Sequence, residues 1–179
     1  MAGELNLVSS TTVTSSVASV ELTGIDATYD IYKLVITNAR AVNVAGAGWR
    51  LRWLVSGSAE TGANHYTQLM YHYGASDFTN TGIATDYRYS GNNQMYIGVG
   101  GADTGECYNA NINLYKTYDN NSEGRFDCES SGTDASGNLI ACKGGGYRKS
   151  KQSYNGVHIY CDGYNIASGF FGLYGYNYS

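Results

Sequence analysis

The sequence contains no proline, few charged residues and no excess of basic ones. Charged side chains make up 15% of the 179 residues, and 15 acidic against 11 basic residues give a formal net charge of -4. Nucleic acids and anionic membranes attract proteins that present a basic face. The charge balance therefore argues against both as partners.

Long apolar runs are also missing. No segment approaches the ~20 apolar residues that a membrane-spanning helix requires. The first residues, MAGELNLVSSTTVTSS, lack the basic start and the continuous apolar stretch of a secretory signal. We therefore expect a protein made in the cytoplasm without a signal peptide or a membrane segment. Any site of action outside the cell would be reached by lysis or within a larger assembly.

The familiar motifs of catalysis and cofactor binding are absent from the sequence. It has no G-x-S-x-G, Walker, H-E-x-x-H or dinucleotide motif. The histidines, His65, His72 and His158, have no cysteine or carboxylate at metal-ligand spacing, and we expect surface or sheet-face imidazoles. Asp127 and Glu129 would share a strand face, but carboxylates spaced in this way usually belong to a solvated surface. We expect no enzymatic activity, no cofactor and no metal.

The cysteines contain no C-x-x-C pair, since Cys107, Cys128, Cys142 and Cys161 are separated by 21, 14 and 19 positions. Cys128 and Cys142 lie on successive predicted strands, and a cross-strand disulfide between them is one prediction. The alternative is that all four are small buried apolar side chains in a reducing compartment.

Helical periodicity is nearly absent, whereas alternation with a period of two recurs along the chain. The 24 glycines, 17 serines, 14 threonines and 16 asparagines disfavour long helices. Residues 49–55, WRLRWLV, place large apolar side chains at the odd positions and arginines on the opposite, wet face. Residues 32–37 and 111–114 alternate in the same way, and glycines and asparagines supply the turns between strands.

These patterns predict an all-β fold, a single antiparallel β-sandwich of jelly-roll type with about ten short strands. We expect very little helix, at most one turn at residues 25–29. Residues 1–15 are predicted to form an N-terminal arm docked on a partner, and residues 16–179 to form the sandwich. The stretch KGGGYRKSK, residues 143–151, combines three glycines with four basic residues and predicts a solvated hairpin loop.

Tyrosine is present in excess, at 18 of 179 residues. Its side chain is large and amphipathic, and it is enriched in interfaces and recognition surfaces. The surplus therefore predicts an exposed surface for a partner. The candidate partner-binding residues lie in the arm and in the last strand: Glu4, Leu5, Leu7, Val8, Tyr174, Tyr176 and Tyr178.

A second tyrosine-rich surface is a candidate for binding a glycan or a receptor. Aromatic rings stack on sugar faces, and polar side chains bind sugar hydroxyl groups. The residues of this predicted glycan surface are Tyr71, Tyr73, Tyr87, Arg88, Tyr89, Asn92 and Asn93.

Two segments resemble small virion proteins of tailed bacteriophages. The first is SVASVELTGIDATYDIYKL, residues 16–34, which reads as a strand ending in T-G-I, a turn closed by Thr-Tyr and a second strand. The second is the closing Gly172-Leu173-Tyr174-Gly175. The resemblance covers the two ends of the chain and leaves its middle uncovered.

The resemblance implies a structural role on a phage particle. We expect a virion protein, a capsid decoration or cement protein that binds and reinforces the capsid as a homo-oligomer, and the resemblance implies a trimer. Its partners would be further copies of itself and other virion proteins. The alternative is a receptor- or glycan-binding module of a phage head or tail fibre, with a host surface glycan as its ligand.

Overall fold

A computed structural model describes residues 4–42, 46–74, 81–101, 105–115, 117–133 and 137–177, without the side chains of residues 71–90. Within these ranges the chain is all-β and contains no helix, which confirms the predicted class. Its strands are β1 Asn6–Val13, β2 Ser19–Thr23, β3 Ile31–Ala41, β4 Ala47–Val55, β5 Ser58–Ala59, β6 His65–Gly74, β7 Thr81–Asn92, β8 Met95–Gly100, β9 Tyr108–Tyr115, β10 Glu123–Thr133, β11 Leu139–Lys151, β12 Gly156–Cys161 and β13 Ile166–Tyr176.

The strands form two antiparallel sheets. The eight-stranded sheet has the order β1-β13-β3-β9-β10-β11-β6-β7. The five-stranded sheet has the order β2-β12-β4-β5, with β8 also paired to β4. Buried side chains from both sheets form one apolar cluster, as in a β-sandwich. The jelly-roll connection pattern stays a prediction.

Alternating side chains build the core between the sheets, because successive residues of a strand point to opposite faces. Trp49, Leu51 and Trp53 of β4 are fully buried, as the sequence pattern predicted. The Trp49 ring stacks on Tyr108 with centroids 4.9 Å apart, and Trp53 stacks on Tyr154 at 5.0 Å. Such pairs stabilise the fold by about 0.5–1.5 kcal/mol each beyond the burial of their surface.

The predicted wet face of β4 is wrong at Arg50, which is almost completely buried. Strand β8 lies beside β4 and brings Tyr96 opposite Arg50. The guanidinium lies 4.3 Å from the centre of the Tyr96 ring and pairs with Asp162 at 3.2 Å. The neighbouring strand therefore covers a side chain that the alternation alone assigns to solvent.

The predicted hairpin loop at residues 143–151 is also wrong, because this segment belongs to β11 and pairs with β10 and β6. A Cβ atom at Gly144 would lie 2.8 Å from the Cα of Leu69, and at Gly145 it would lie 2.6 Å from the carbonyl oxygen of Phe126. The glycines thus permit a close approach of neighbouring backbones in the middle of a sheet. Arg148 in the same segment is buried.

Most of the predicted N-terminal arm is part of the sheet. Residues 6–13 form β1, which pairs with β13 at the end of the eight-stranded sheet. Pairing gives partners to those backbone N–H and C=O groups of β1 that face β13. Residues 6–13 are thus a strand of the large sheet, while the division at residue 15 and docking on a partner stay predictions.

Residues 25–29, where at most one helical turn was expected, form a turn stabilised by a side chain. Asp26 Oδ1 accepts hydrogen bonds from the Thr28 amide at 2.8 Å and from the Tyr32 hydroxyl at 2.9 Å. Aspartate side chains compete in this way with helical backbone hydrogen bonds. The segment turns the chain between β2 and β3.

The glycines of β11 give the first testable prediction. Gly144→Ala should destabilise the protein by roughly 1–3 kcal/mol, because the added methyl group meets the backbone of β6. Urea unfolding measures this change. Lys149→Ala, at an exposed position of the same strand, is the matched control and should change stability by less than about 0.5 kcal/mol. Equal stability of the two variants would contradict the tight strand packing.

Candidate functional site

The outer face of the eight-stranded sheet carries rows of polar and aromatic side chains, since antiparallel register aligns residues of neighbouring strands. Read from β6 to β3, the rows are Tyr66, Tyr147, Arg125, Tyr115 and Ile31; Gln68, Gly145, Asp127, Asn113 and Lys33; and Met70, Lys143, Glu129, Asn111 and Val35.

The two carboxylates singled out from the sequence lie on this outer face and are both exposed. Asp127 accepts hydrogen bonds from Asn113 Nδ2 and the Tyr115 hydroxyl, each at 2.8 Å. Glu129 pairs with Lys143, whose pKa it raises through this hydrogen bond and its charge. Each carboxylate is thus held by its own neighbours, and both line a shallow pocket of about 290 Å³ on the outer face.

A cleft of about 670 Å³ lies where the outer face meets the turn between β9 and β10. We call it the end cleft. It combines two tyrosines and an isoleucine with two acidic and two basic side chains. Its lining consists of Asp30, Ile31, Tyr115, Tyr118, Ser122, Glu123, Arg125 and Lys151.

Neighbouring side chains hold Arg125 at the wall of the end cleft. Its Nη2 lies 3.0 Å from Glu123 Oε2, and its guanidinium carbon lies 5.5 Å from the centre of the Tyr147 ring. Tyr147 in turn stacks on Tyr66 with centroids 5.0 Å apart and planes 12° from parallel. The Arg125 side chain is nevertheless 64% exposed, so solvent reaches its donors.

Tyr115 is fixed by its hydroxyl group. Burial raises its pKa to about 12, and the hydrogen bond to Asp127 adds to the shift. The phenol is therefore neutral at physiological pH and acts as a donor to Asp127. This bond fixes the ring at the wall of the end cleft.

The end cleft is not predicted by any local pattern of the sequence. The alternation of residues 111–114, extended by one position, places Tyr115 on the same face as Asn111 and Asn113. The spacing of two between Arg125 and Asp127 likewise places these two side chains on one face. No local pattern brings Lys151 beside Glu123, because only the register of β10 and β11 does so.

Most of the predicted partner-binding residues come together at the β1 edge of the eight-stranded sheet. The register of β1 and β13 places Leu7 opposite Tyr174. Leu5 and Leu7 are 47% and 58% exposed, and Glu4 is exposed beside them. We call Leu5, Leu7, Tyr174 and Tyr176 the edge patch; both of its tyrosines are half-buried.

Two further predicted partner-binding residues do not join the edge patch. Val8 is partly buried and packs against the core, and its Cγ1 would lie 2.7 Å from a Cβ atom at Gly24. Val8 lies at the register shift between Leu7 and Ser9, where β1 departs from regular pairing with β13. Tyr178 lies outside the described residues.

The predicted glycan surface falls on β6, β7 and the turn that follows. The side chains of Tyr71, Tyr73, Tyr87, Arg88 and Tyr89 lie outside the described part of the structure, and their role stays a prediction.

Asn92 is half-buried and Asn93 is exposed. The Asn92 carbonyl oxygen lies 3.0 Å from His65 Nδ1. The Asn93 carbonyl oxygen accepts a hydrogen bond from Arg52 Nε at 3.0 Å. Both residues therefore help to fix the turn between β7 and β8.

A buried ionic cluster joins the segment before β6 to β11. Glu60 Oε2 lies 3.1 Å from Arg148 Nη2, and Arg148 Nη1 donates to the Tyr154 hydroxyl at 3.3 Å. His65 Nδ1 lies 3.2 Å from the Gly62 carbonyl oxygen. His65 is fully buried, so its predicted position on a surface or sheet face is wrong.

Burial lowers the pKa of His65, and the positive charge of Arg148 lowers it further. For Glu60, burial acts to raise the pKa. Hydrogen bonds from the Gly62 amide and Gln152, with the charge of Arg148, outweigh burial and leave the pKa below its ordinary value. The folded state therefore favours the neutral form of His65 and the charged form of Glu60.

We expect the free energy of unfolding to decrease on acidification. The unfolded chain binds a proton at His65 near pH 6.5, whereas the folded chain binds it only at a lower pH. The contribution of His65 to the free energy of unfolding is therefore fully present above pH 6.5 and is lost as the pH falls through the lower folded pKa. Glu60 adds a further loss below pH 4.5. Urea midpoints from pH 8 to pH 4 measure the effect.

The control for this pH dependence is a second histidine. His65→Gln should flatten the change between pH 6.5 and 5, whereas His158→Gln, on the five-stranded sheet, should retain it. An unchanged slope in His65→Gln would assign the pH dependence to other groups.

The four cysteines are free thiols in the structure. In the register of β10 and β11, Cys128 lies opposite Gly144 and Cys142 lies opposite Ser130. The two thiols are thus diagonal neighbours, at a spacing wider than the Cβ separation of a disulfide. The predicted disulfide would require a local shift of the strands.

Thiol titration tests the state of the cysteines. Burial raises the pKa of Cys142 to about 11 and that of Cys161 to about 12, and it also raises the pKa of Cys128. We expect only the half-buried Cys107 to react rapidly with Ellman's reagent in the native protein, and all four to react in denaturant. Two thiols in denaturant, without reductant, would instead indicate a disulfide.

The residues that the structure describes include no group of three or more His, Cys, Asp or Glu that could hold a metal ion. In the same ranges, no helix has the length and apolar character needed to cross a membrane. No protein-family model, curated protein or solved structure matches this chain. The candidate surfaces are therefore interpreted from their own geometry.

Proposed function

We propose that this protein is a structural component of a phage virion, a capsid decoration protein that docks as a homo-oligomer and reinforces the capsid. The sequence resemblance to small virion proteins motivates the class. The single observation that supports this function is the exposed edge patch at the terminal strand of the large sheet.

The edge patch has two properties of a protein interface. Strand β1 ends the sheet and pairs with β13 on one side, so alternate backbone N–H and C=O groups point away from the sheet, as at edges that receive a strand from another chain. Leu5 and Leu7 expose about half of their surface beside this edge. Exposed apolar residues beside a sheet edge risk aggregation unless a partner covers them.

A binding role agrees with the polar groups of the outer face. Asp127 and Glu129 are held by donors from neighbouring strands, so the outer face presents fixed polar groups that a partner can contact. We propose no enzymatic activity. A trimer, implied by the resemblance, would place three edge patches around one axis on the capsid.

Introduction of negative charge at the edge patch tests this function. The double substitution Leu5→Glu and Leu7→Glu should reduce binding to phage particles that lack the protein by at least about tenfold, because carboxylates replace apolar contact surface. Cosedimentation with such particles measures occupancy, and analytical ultracentrifugation measures oligomeric state. Substitutions are preferable to deletion of the arm, because deletion removes β1 from its sheet.

The matched control is Thr12→Glu, which adds a carboxylate at an exposed position of the same strand, away from the leucines. It should bind particles like the unmodified protein. Full occupancy by the double variant would exclude the edge patch as the docking surface. Failure of the unmodified protein to bind any particle would exclude the decoration function itself.

A further inference from the structure

The end cleft has the dimensions of a small-ligand site. Its volume of about 670 Å³ lies within the range of roughly 300–1,000 Å³ that is typical of ligand pockets. Three parts of the chain that are distant in sequence form it: the start of β3, the turn between β9 and β10, and the facing ends of β10 and β11. A ligand in the cleft would therefore contact side chains that the fold holds in fixed positions.

Apolar surface in the end cleft comes from Ile31, Tyr115 and Tyr118. Ile31 is buried although its row belongs to the outer face, so the surrounding side chains cover it. Tyr118 packs partly against the core, and Tyr115 is anchored through Asp127. The partly exposed phenol rings of Tyr115 and Tyr118 provide the surface on which the C–H face of a pyranose ring stacks.

The charged side chains at the end cleft are balanced. Asp30 and Glu123 provide carboxylates, while Arg125 and Lys151 provide cations. The two carboxylates would repel a polyanion such as a nucleic acid, and the two cations would repel a basic peptide. A ligand with many hydroxyl groups and no net charge would satisfy both signs, since each hydroxyl both donates and accepts hydrogen bonds.

The turn that closes one side of the end cleft is held in a defined conformation. Asp119 Oδ1 accepts a hydrogen bond from the Asn121 amide at 2.8 Å, and Asp119 Oδ2 accepts one from Ser122 Oγ at 2.6 Å. This turn directly precedes Glu123. The polar groups on this side are therefore positioned before a ligand arrives, which lowers the entropic cost of binding.

From these features we infer that the end cleft binds a neutral oligosaccharide. Tyr115 and Tyr118 stack on the sugar, Arg125 and Lys151 donate to its hydroxyl groups, and Asp30 and Glu123 accept from them. The site is separate from the predicted glycan surface on β6 and β7. It also does not depend on capsid docking, which the edge patch carries.

Titration of the isotope-labelled protein with three neutral trisaccharides tests the inference. Maltotriose, cellotriose and triacetylchitotriose are each added up to about 10 mM, because single sugar sites commonly bind with millimolar dissociation constants, near the weak end of specific affinity. We expect saturable amide shifts from at least one of them, concentrated at residues 30–31, 115–125 and 151. A heparin hexasaccharide serves as the polyanionic comparison.

Two variants assign the binding to the end cleft. Arg125→Ala and Tyr118→Ala should each weaken the affinity for the trisaccharide at least about tenfold, the loss expected for a hydrogen-bonding or stacking anchor. Lys149→Ala removes a cation from β11 outside the cleft lining and should leave affinity unchanged. Thermal unfolding of each variant checks that the fold is intact.

Several results would overturn the inference. These are the absence of saturable shifts with all three neutral trisaccharides, shifts that lie away from the cleft, unchanged affinity in both variants, or binding of the heparin fragment alone. Leu5→Glu with Leu7→Glu should retain saccharide binding, so failure of the cleft and failure of capsid docking can be distinguished.

Discussion

The cross-strand register of β9, β10 and β11 is the constraint on which the rest of the structure depends. It pairs Cys128 with Ile112 and Gly144, and it directs Phe126 and Cys128 into the core. Because side chains alternate with a period of two, a shift by one residue would send these to solvent and bury Asp127. The glycines of β11 permit this register, since a Cβ at Gly144 would meet the backbone of β6.

The same register that fills the core also builds the surface. It aligns Tyr66, Tyr147, Arg125 and Tyr115 in one row of the outer face, and it brings Asp127 within reach of the Tyr115 hydroxyl. Aromatic stacking and hydrogen bonds then hold these side chains in place. The end cleft is consequently a rigid feature of the sheet, and its chemistry is inseparable from the packing beneath it.

Polar groups have different surroundings inside the protein and at the edge of its large sheet. Glu60 and Arg148 enter the interior as an ion pair with further hydrogen bonds, which offsets much of the cost of removing their charges from water. At β1 the backbone edge and two leucines stay accessible. The Glu60–Arg148 pair is thus held by contacts inside the protein, whereas the leucines beside β1 face solvent.

The sequence determined the class of fold and the facing of many side chains, because the alternation in β4 and β9 is a local property of the chain. It also placed Asp127 and Glu129 on one exposed face. Only the tertiary structure decided that Arg50 is buried, that residues 143–151 form a central strand, and that Lys151 joins Glu123 at a cleft. Those outcomes depend on which strands become neighbours, and pairing across a sheet joins residues whose local sequence carries no sign of each other.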